Sequence, residues 1–312
     1  MDVGQLVAVL GAAVVVAAAD PTVVIAGDSY ASGNGGGDYS NVACMQSPHA
    51  GQEVLEKLSG LDVTNVACTA AHLDHLREER LVDRWTVPAD SMASGSSAPD
   101  SEAVCGEPPA GGRVDLSVTG AGTDATGDCS IVLSPQIDTF DGADAVFLTV
   151  GGNDLGFGQV AYRCFAVPHA ERCREEIGAA RAGVDELMAE YGDVLGEIRS
   201  RYPDLDIFLV PYPPLVSGSV DVNGYDAGAD MVALQNEISE GVSNLAASAE
   251  ARLGGVHLVD DLESLWVTSA GAGEELLRTS GAIEILHPTP AGWQVIGQSY
   301  LLSLGRVYAA GR

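Results

Sequence analysis

Val23-Val24-Ile25-Ala26-Gly27-Asp28-Ser29-Tyr30 is the stretch on which the reading of this chain turns. Four apolar residues, most of them β-branched, make a short continuous run suited to a strand buried on both faces. The run breaks at Gly27-Asp28-Ser29, and small residues follow in Ala31-Ser32-Gly33-Asn34-Gly35-Gly36-Gly37. Gly27 permits a sharp turn there, and the small residues leave room for a substrate. A serine just beyond the carboxyl end of a buried strand stands where open α/β sheets hold their ligands. Gly-Asp-Ser alone is equally a strand followed by a polar turn, so partners elsewhere in the chain decide between the two.

Working outward, residues 51–61 have helical spacing through Val54, Leu55 and Leu58, and 63–68 read as a second strand. Residues 72–81 predict a charged helix. From 86 to 134 the composition shifts to Gly, Ser, Pro and Asp with weak periodicity, unusual inside a compact domain. This segment reads as an insertion or lid-like excursion held by Cys105 and Cys129, or equally as an idle solvated loop. Residues 145–150 form a further buried strand, ending in Gly151-Gly152-Asn153-Asp154. Helices are expected over 177–202, 231–253 and 289–304, the last with Pro290 in its first turn, where a missing N–H costs little. Strands over 207–210 and 256–259 stop at Pro211-Tyr212-Pro213-Pro214 and Asp260-Asp261. Strands alternating with helices predict an α/β fold, a three-layer α/β/α sandwich around a central parallel sheet. Residues 20–312 are expected to form a single domain.

The 312 residues are 46% hydrophobic but only 5% aromatic, so the core is expected to be Val, Leu, Ile and Ala. Forty-four acidic side chains against 15 basic ones give a formal charge of −29, and Lys57 is the lone lysine. A field of that sign repels nucleic acid and anionic membrane surfaces. It fits salt adaptation or simple acidic drift. An apolar run over 6–19, short for a membrane span and followed by Asp20, reads as a signal-peptide core within an expected leader of residues 1–19. The absence of Lys or Arg before it leaves an upstream start or an uncleaved anchor open. Cys44, Cys68, Cys105, Cys129, Cys164 and Cys173 contain no Cys-x-x-Cys pair, which argues against a zinc ribbon or redox motif. An even number in an exported chain reads as disulfides. Sequential pairing, Cys44–Cys68, Cys105–Cys129 and Cys164–Cys173, closes the shortest loops.

Strand-end loops of a parallel sheet share one rim, so Ser29 and Asn153 are expected to converge. Glu284-Ile285-Leu286-His287-Pro288 precedes the last helix. A hydroxyl becomes a nucleophile when a base takes its proton, and histidine is the usual base near neutral pH. His287 is therefore expected to activate Ser29, with Glu284, one turn earlier, holding its other nitrogen. The Asn153 side chain and the Ser29 N–H are expected to stabilise an oxyanion. Asp28 and Asp154 are expected to bond the backbone of their own loops. His72, Asp74 and His75 fit a solvated helix face better than a metal site. The glycines at 33–37 lack dinucleotide-binding spacing, and no Gly-x-Ser-x-Gly elbow occurs.

These blocks resemble the SGNH (GDSL-type) hydrolase family, in its secreted actinobacterial esterase and lipase branch. Gly27-Asp28-Ser29-Tyr30-Ala31-Ser32-Gly33 resembles its first block, the run from Leu148 to Phe157 its third, and His287-Pro288 its fifth. Gln136, Tyr212-Pro213-Pro214 and Val259-Asp260 also fall where that branch has similar residues. The resemblance implies a flavodoxin-like sandwich and an acyl-enzyme mechanism. It further implies secretion, and a small-molecule or lipid ester as substrate. No cofactor, nucleic-acid partner or membrane span is implied, and the chain is expected to be monomeric. A carbohydrate O-acetylesterase is the alternative, and an idle binding domain of this fold the third reading. Two departures stand out. Cys68-Thr69-Ala70-Ala71 places Ala70 where the family has a glycine whose N–H joins the oxyanion hole; the donor survives unless the backbone needs positive φ. Glu284 stands where the family commonly has aspartate, and its backbone carbonyl is a second candidate for holding His287.

Overall fold

The computed structural model describes residues 8–9, 11–13, 15–16, 19–88, 100–120, 126–281 and 284–310. The chain runs through β1 (Val23–Gly27), the one-turn helix α1 (Ser29–Ser32), α2 (Gly51–Ser59), β2 (Val63–Asn65) and β3 (Arg80–Pro88). Then come α3 (Ser101–Cys105), β4 (Gly112–Thr119), β5 (Thr126–Leu133), β6 (Ala145–Thr149), α4 (Phe157–Ala161), α5 (Ala170–Arg201) and β7 (Asp206–Leu209). A short ribbon of β8 (Asp221–Val222) and β9 (Tyr225–Asp226) precedes α6 (Gly228–Leu253), β10 (Val256–Leu258), α7 (Asp261–Gly271) and α8 (Pro290–Ala310).

The main sheet has the order β10-β7-β6-β1-β2, and every pairing in it is parallel. Alternate residues of β1 serve opposite layers, because successive side chains of a strand point to opposite faces. Val24 and Ala26 join α5 and α6 through Ile177, Val184, Leu187, Leu234 and Ile238. Val23 and Ile25 join α2, α7 and α8 through Leu55, Trp266, Trp293, Ile296 and Tyr300. Both layers exclude water from the sheet, which is why β1 and β6 read as unbroken apolar runs. The sandwich expected from the alternation is the observed fold. The order also places a topological switch at β1: the chain leaves it for β2 on one side and later returns as β6 on the other. The crevice above that switch is where such sheets bind ligands.

Several expectations are corrected. Residues 72–81 are not one helix: Leu73–Leu76 form a single 3₁₀ turn, and β3 begins at Arg80. A register shift between Leu81 and Asp83 breaks the alternation of β3 and hides its period from the sequence. The segment 86–134 is not devoid of elements, since β3, β5 and β4 form an antiparallel sheet. Val114, Ile131 and Leu133 of that sheet pack on the Cys44–Cys68 disulfide. Residues 89–99 and 121–125 of the segment lie outside the described residues. Disulfides join Cys44 to Cys68, Cys105 to Cys129 and Cys164 to Cys173. The expected leader, 1–19, falls largely outside the described residues; of those described in it, Val9 and Val16 are buried in the layer of α8. No helix among the described residues is long and apolar enough to cross a membrane.

Buried Gln136 holds the end of β1 with both ends of its amide. Its Oε1 accepts from Gly27 N–H at 2.6 Å and its Nε2 donates to Gly27 O at 3.0 Å. Gln136→Leu strands the buried Gly27 N–H. A loss of about 2 kcal/mol is expected, in the range for an unpaired buried polar group, read as a lower urea midpoint at unchanged slope.

Candidate active site

Gly27 has a φ of 129°, and a Cβ there would collide with the Thr149 carbonyl oxygen. The turn thus brings the ends of β1 and β6 into contact, and Asp28 N–H donates to Thr149 O at 2.9 Å. Asp28 caps α1, its Oδ1 accepting from Tyr30 N–H at 2.9 Å, as suits a carboxylate before a helix. Ser29 is thereby the first residue of α1 and is 7% exposed.

Tyr212, on the segment after β7, donates its hydroxyl proton to Asp28 Oδ2 and accepts from Gly152 N–H at 2.7 Å. One hydroxyl therefore joins the loops that follow β1, β6 and β7. Burial, resisted by the bonds from Tyr212 and Tyr30, pushes the Asp28 carboxyl up to about 7.

The His287 segment is folded back on itself. Arg278 N–H donates to His287 O at 2.8 Å and Leu286 N–H donates to Arg278 O at 2.9 Å. The Tyr30 hydroxyl donates to Leu286 O at 2.8 Å, and its ring stacks on the imidazole at 5.0 Å between centroids. Gly35 lets the glycine-rich segment lie against this loop, since a Cβ there would stand 2.9 Å from that of His287. His287 Nε2 ends 2.8 Å from Ser29 Oγ. Burial lowers the imidazole to about 4, with the nearby carbonyls of Ile285 and Glu284 and the Glu284 charge acting in the opposite sense. None of those groups meets Nδ1 in hydrogen-bond geometry, and that atom is shut away from solvent without a partner.

Glu284 does not reach His287 with its carboxylate. Its Oε1 accepts instead from the Tyr39 hydroxyl. Its carbonyl accepts from His287 N–H at 2.9 Å.

Ser29, Ala70, Asn153 and His287 line one cavity of about 290 Å³. The Ser29 and Ala70 N–H groups meet no protein acceptor among the described residues. One Asn153 Nδ2 proton goes to Ala71 O at 2.9 Å, which aims the amide and leaves its second proton for the cavity. Ala70 has a φ of 57°, so it adopts the left-handed conformation natural to glycine. The cavity is also lined by Phe157, Val160, Leu215, Met231, Leu234 and Ile238. A group with these donors and this base can carry an acyl transfer.

Asp154 does not bond its own turn alone, as expected. It also accepts from Leu73 N–H at 3.1 Å and lies 3.4 Å from His72 Nδ1, tying the 3₁₀ turn to the Asn153 loop. Asp74 pairs with Arg77 and His75 Nδ1 accepts from His72 N–H, so these residues are engaged in local structure. Tyr30 and Tyr212 stand in the sequence blocks without an assigned role, and Tyr39 lies outside every block. Only the prolines around Tyr212, which end β7 at the functional rim, gave a signal.

The chain belongs to the GDSL-like lipase/acylhydrolase family, which it matches over residues 25–295. Among solved structures it resembles an extracellular lipase from Streptomyces rimosus, at 23% identity and a TM-score of 0.61, covering 90% of this chain and 98% of that one. It also resembles phospholipase A1 from Streptomyces albidoflavus NA297, at 20% identity and a TM-score of 0.59, covering 91% and 98%. These likenesses confirm the shared fold. No curated protein matches the sequence.

A left-handed alanine costs about 1–2 kcal/mol, partly offset by the freedom a glycine adds to the unfolded chain. Ala70→Gly is expected to raise stability by about 0.5–1 kcal/mol, seen as a higher thermal midpoint, with esterase turnover no lower than the parent's.

Proposed function

We propose that this chain is a serine ester hydrolase acting on esters with lipophilic acyl groups. The observation that carries this reading is the 2.8 Å contact of His287 Nε2 with Ser29 Oγ, made in the wall of a largely apolar cavity. His287, neutral above about pH 4, takes the Ser29 proton as Oγ attacks the ester carbonyl. Ser29 N–H, Ala70 N–H and Asn153 Nδ2 receive the oxyanion. The imidazolium returns its proton to the departing alcohol, leaving an acyl-enzyme. Water, deprotonated by His287, attacks that acyl carbonyl and releases the acid with Ser29 restored.

The apolar wall favours an acyl chain over a lone acetyl group, which would leave most of the cavity unfilled. This separates the reading from carbohydrate O-acetylesterase activity. All participating groups come from one chain, so the monomer is the proposed working unit. Export is proposed from the three disulfides, because such bonds persist in oxidising compartments.

A panel of p-nitrophenyl esters tests the reading: kcat/KM should rise from acetyl to octanoyl, and activity on acetyl alone would overturn it. Ser29→Ala should lower kcat by about 10⁵-fold or more while leaving the circular dichroism spectrum unchanged. The acid limb of kcat/KM should fall well below the ordinary histidine value, near the His287 value of about 4. A limb at about 6.5 would show that the base is solvated.

A further inference from the structure

The Glu284 carboxylate carries charge that bears on the His287 ring, yet its hydrogen bond goes elsewhere. The Tyr39 hydroxyl that engages it also accepts from Gly35 N–H at 3.0 Å and lies 3.4 Å from Asn34 Oδ1. A phenol has one proton, and the charged carboxylate is the stronger acceptor. Tyr39 rides on the glycine-rich segment, which Arg278 Nε fixes to the His287 segment by a 2.7 Å bond to Gly35 O. The clasp is therefore two-sided, and within it Nδ1 stays buried without an acceptor.

We propose that Tyr39 is a positioning residue that withholds Glu284 from His287, so that Ser29 and His287 work as a pair without a carboxylate on the imidazole. This rests on the ester-hydrolase reading and adds the residue that sets the histidine's electrostatic partner. The ring is held in place of a carboxylate by stacking on Tyr30 and by the backbone of its own loop. The titratable groups on the elements packed about it are Glu284 and Arg278 on its own segment, Asp28 and Tyr30 at the end of β1, and Asp38, Tyr39 and His49 on and beside the glycine-rich segment. Among these, Glu284 is the charged group that acts on the imidazole.

Tyr39→Phe keeps the ring but removes the donor, freeing Glu284 to turn to Nδ1. A carboxylate at that distance favours imidazolium by about 1–3 pKa units. NMR titration of the His287 imidazole in the full chain should therefore show a rise of at least about one unit in Tyr39→Phe. The double variant Tyr39→Phe/Glu284→Gln should lose that rise and titrate at or slightly below the parent value, since the Glu284 charge is gone as well, and the acid limb of kcat/KM should move with the titration in each case. Glu284→Gln alone should leave the His287 titration at or slightly below the parent value, because only through-space attraction is removed. A smaller rise in Tyr39→Phe, or a rise that persists in the double variant, overturns the proposal. The titration reads the ring without turnover. A shifted His287 in a chain whose ester cleavage survives Ser29→Ala would sink the functional reading, and with it the Ser29–His287 pair, while the hold of Tyr39 on Glu284 would stand.

Discussion

The buried Asp28 carboxyl is the constraint on which the rest of the site depends. It accepts from Tyr30 N–H and from the Tyr212 hydroxyl, and Tyr212 in turn accepts from Gly152 N–H. The turn that presents Ser29, the loop that presents Asn153 and the end of β7 therefore hang on one polar group. Burying a carboxyl disfavours its charged form, and here it moves the group up to about 7. The sign of the linkage follows. The folded chain holds this proton more tightly than the unfolded chain, so the contribution to stability is full below the ordinary aspartate range. It is lost as pH rises through about 7. The two donated bonds favour the carboxylate and burial opposes it, so the charge on Asp28 is set by the same contacts that fix the Ser29 turn and the Asn153 loop.

The parallel sheet, its layers and the convergence of Ser29, Asn153 and His287 were legible because each follows from local punctuation. β1 and β6 are unbroken apolar runs ended by glycine, and Pro290 marks the start of α8. The strand β3 was not legible, because the shift at Leu81 and Asp83 cancels its alternation over the window in which a period is counted. The partner of Glu284 was not legible for a different reason. Sequence adjacency put its carboxylate within reach of His287, but Tyr39, 245 residues away, claims it. Short-range spacing says what a side chain can reach; it does not say what competes for it.

Ala70 shows how a departure from a pattern is absorbed. The left-handed backbone that a glycine would adopt freely is kept by the alanine. Its neighbours hold it there: Thr69 N–H donates to Cys44 O at 3.1 Å, Cys68 N–H to Gly27 O at 3.1 Å and Ala71 N–H to Cys68 O at 3.1 Å. The strain of one residue is small against three backbone bonds and a disulfide at Cys68. Positive φ at residue 70 is the condition under which the donor is expected to be displaced; the alanine adopts that backbone at the cavity wall, with its N–H bonded to no described acceptor.

The same balance governs His287. In the proposed mechanism the base must be neutral before attack, and burial secures that by holding the imidazole down to about 4. The cost falls at the transition state, where the ring becomes charged in a place that disfavours charge. Through-space attraction to Glu284 and the carbonyls of Ile285 and Glu284 recovers part of it, since each of them favours the charged ring. A carboxylate bound directly to Nδ1 would recover more but would also raise the ring's affinity for protons in the ground state. At acid pH that would remove the base before substrate arrives. Withholding the carboxylate thus exchanges transition-state stabilisation for a base that stays available over a wider acid range, and the clasp of Tyr39 on Glu284 is where that exchange is set.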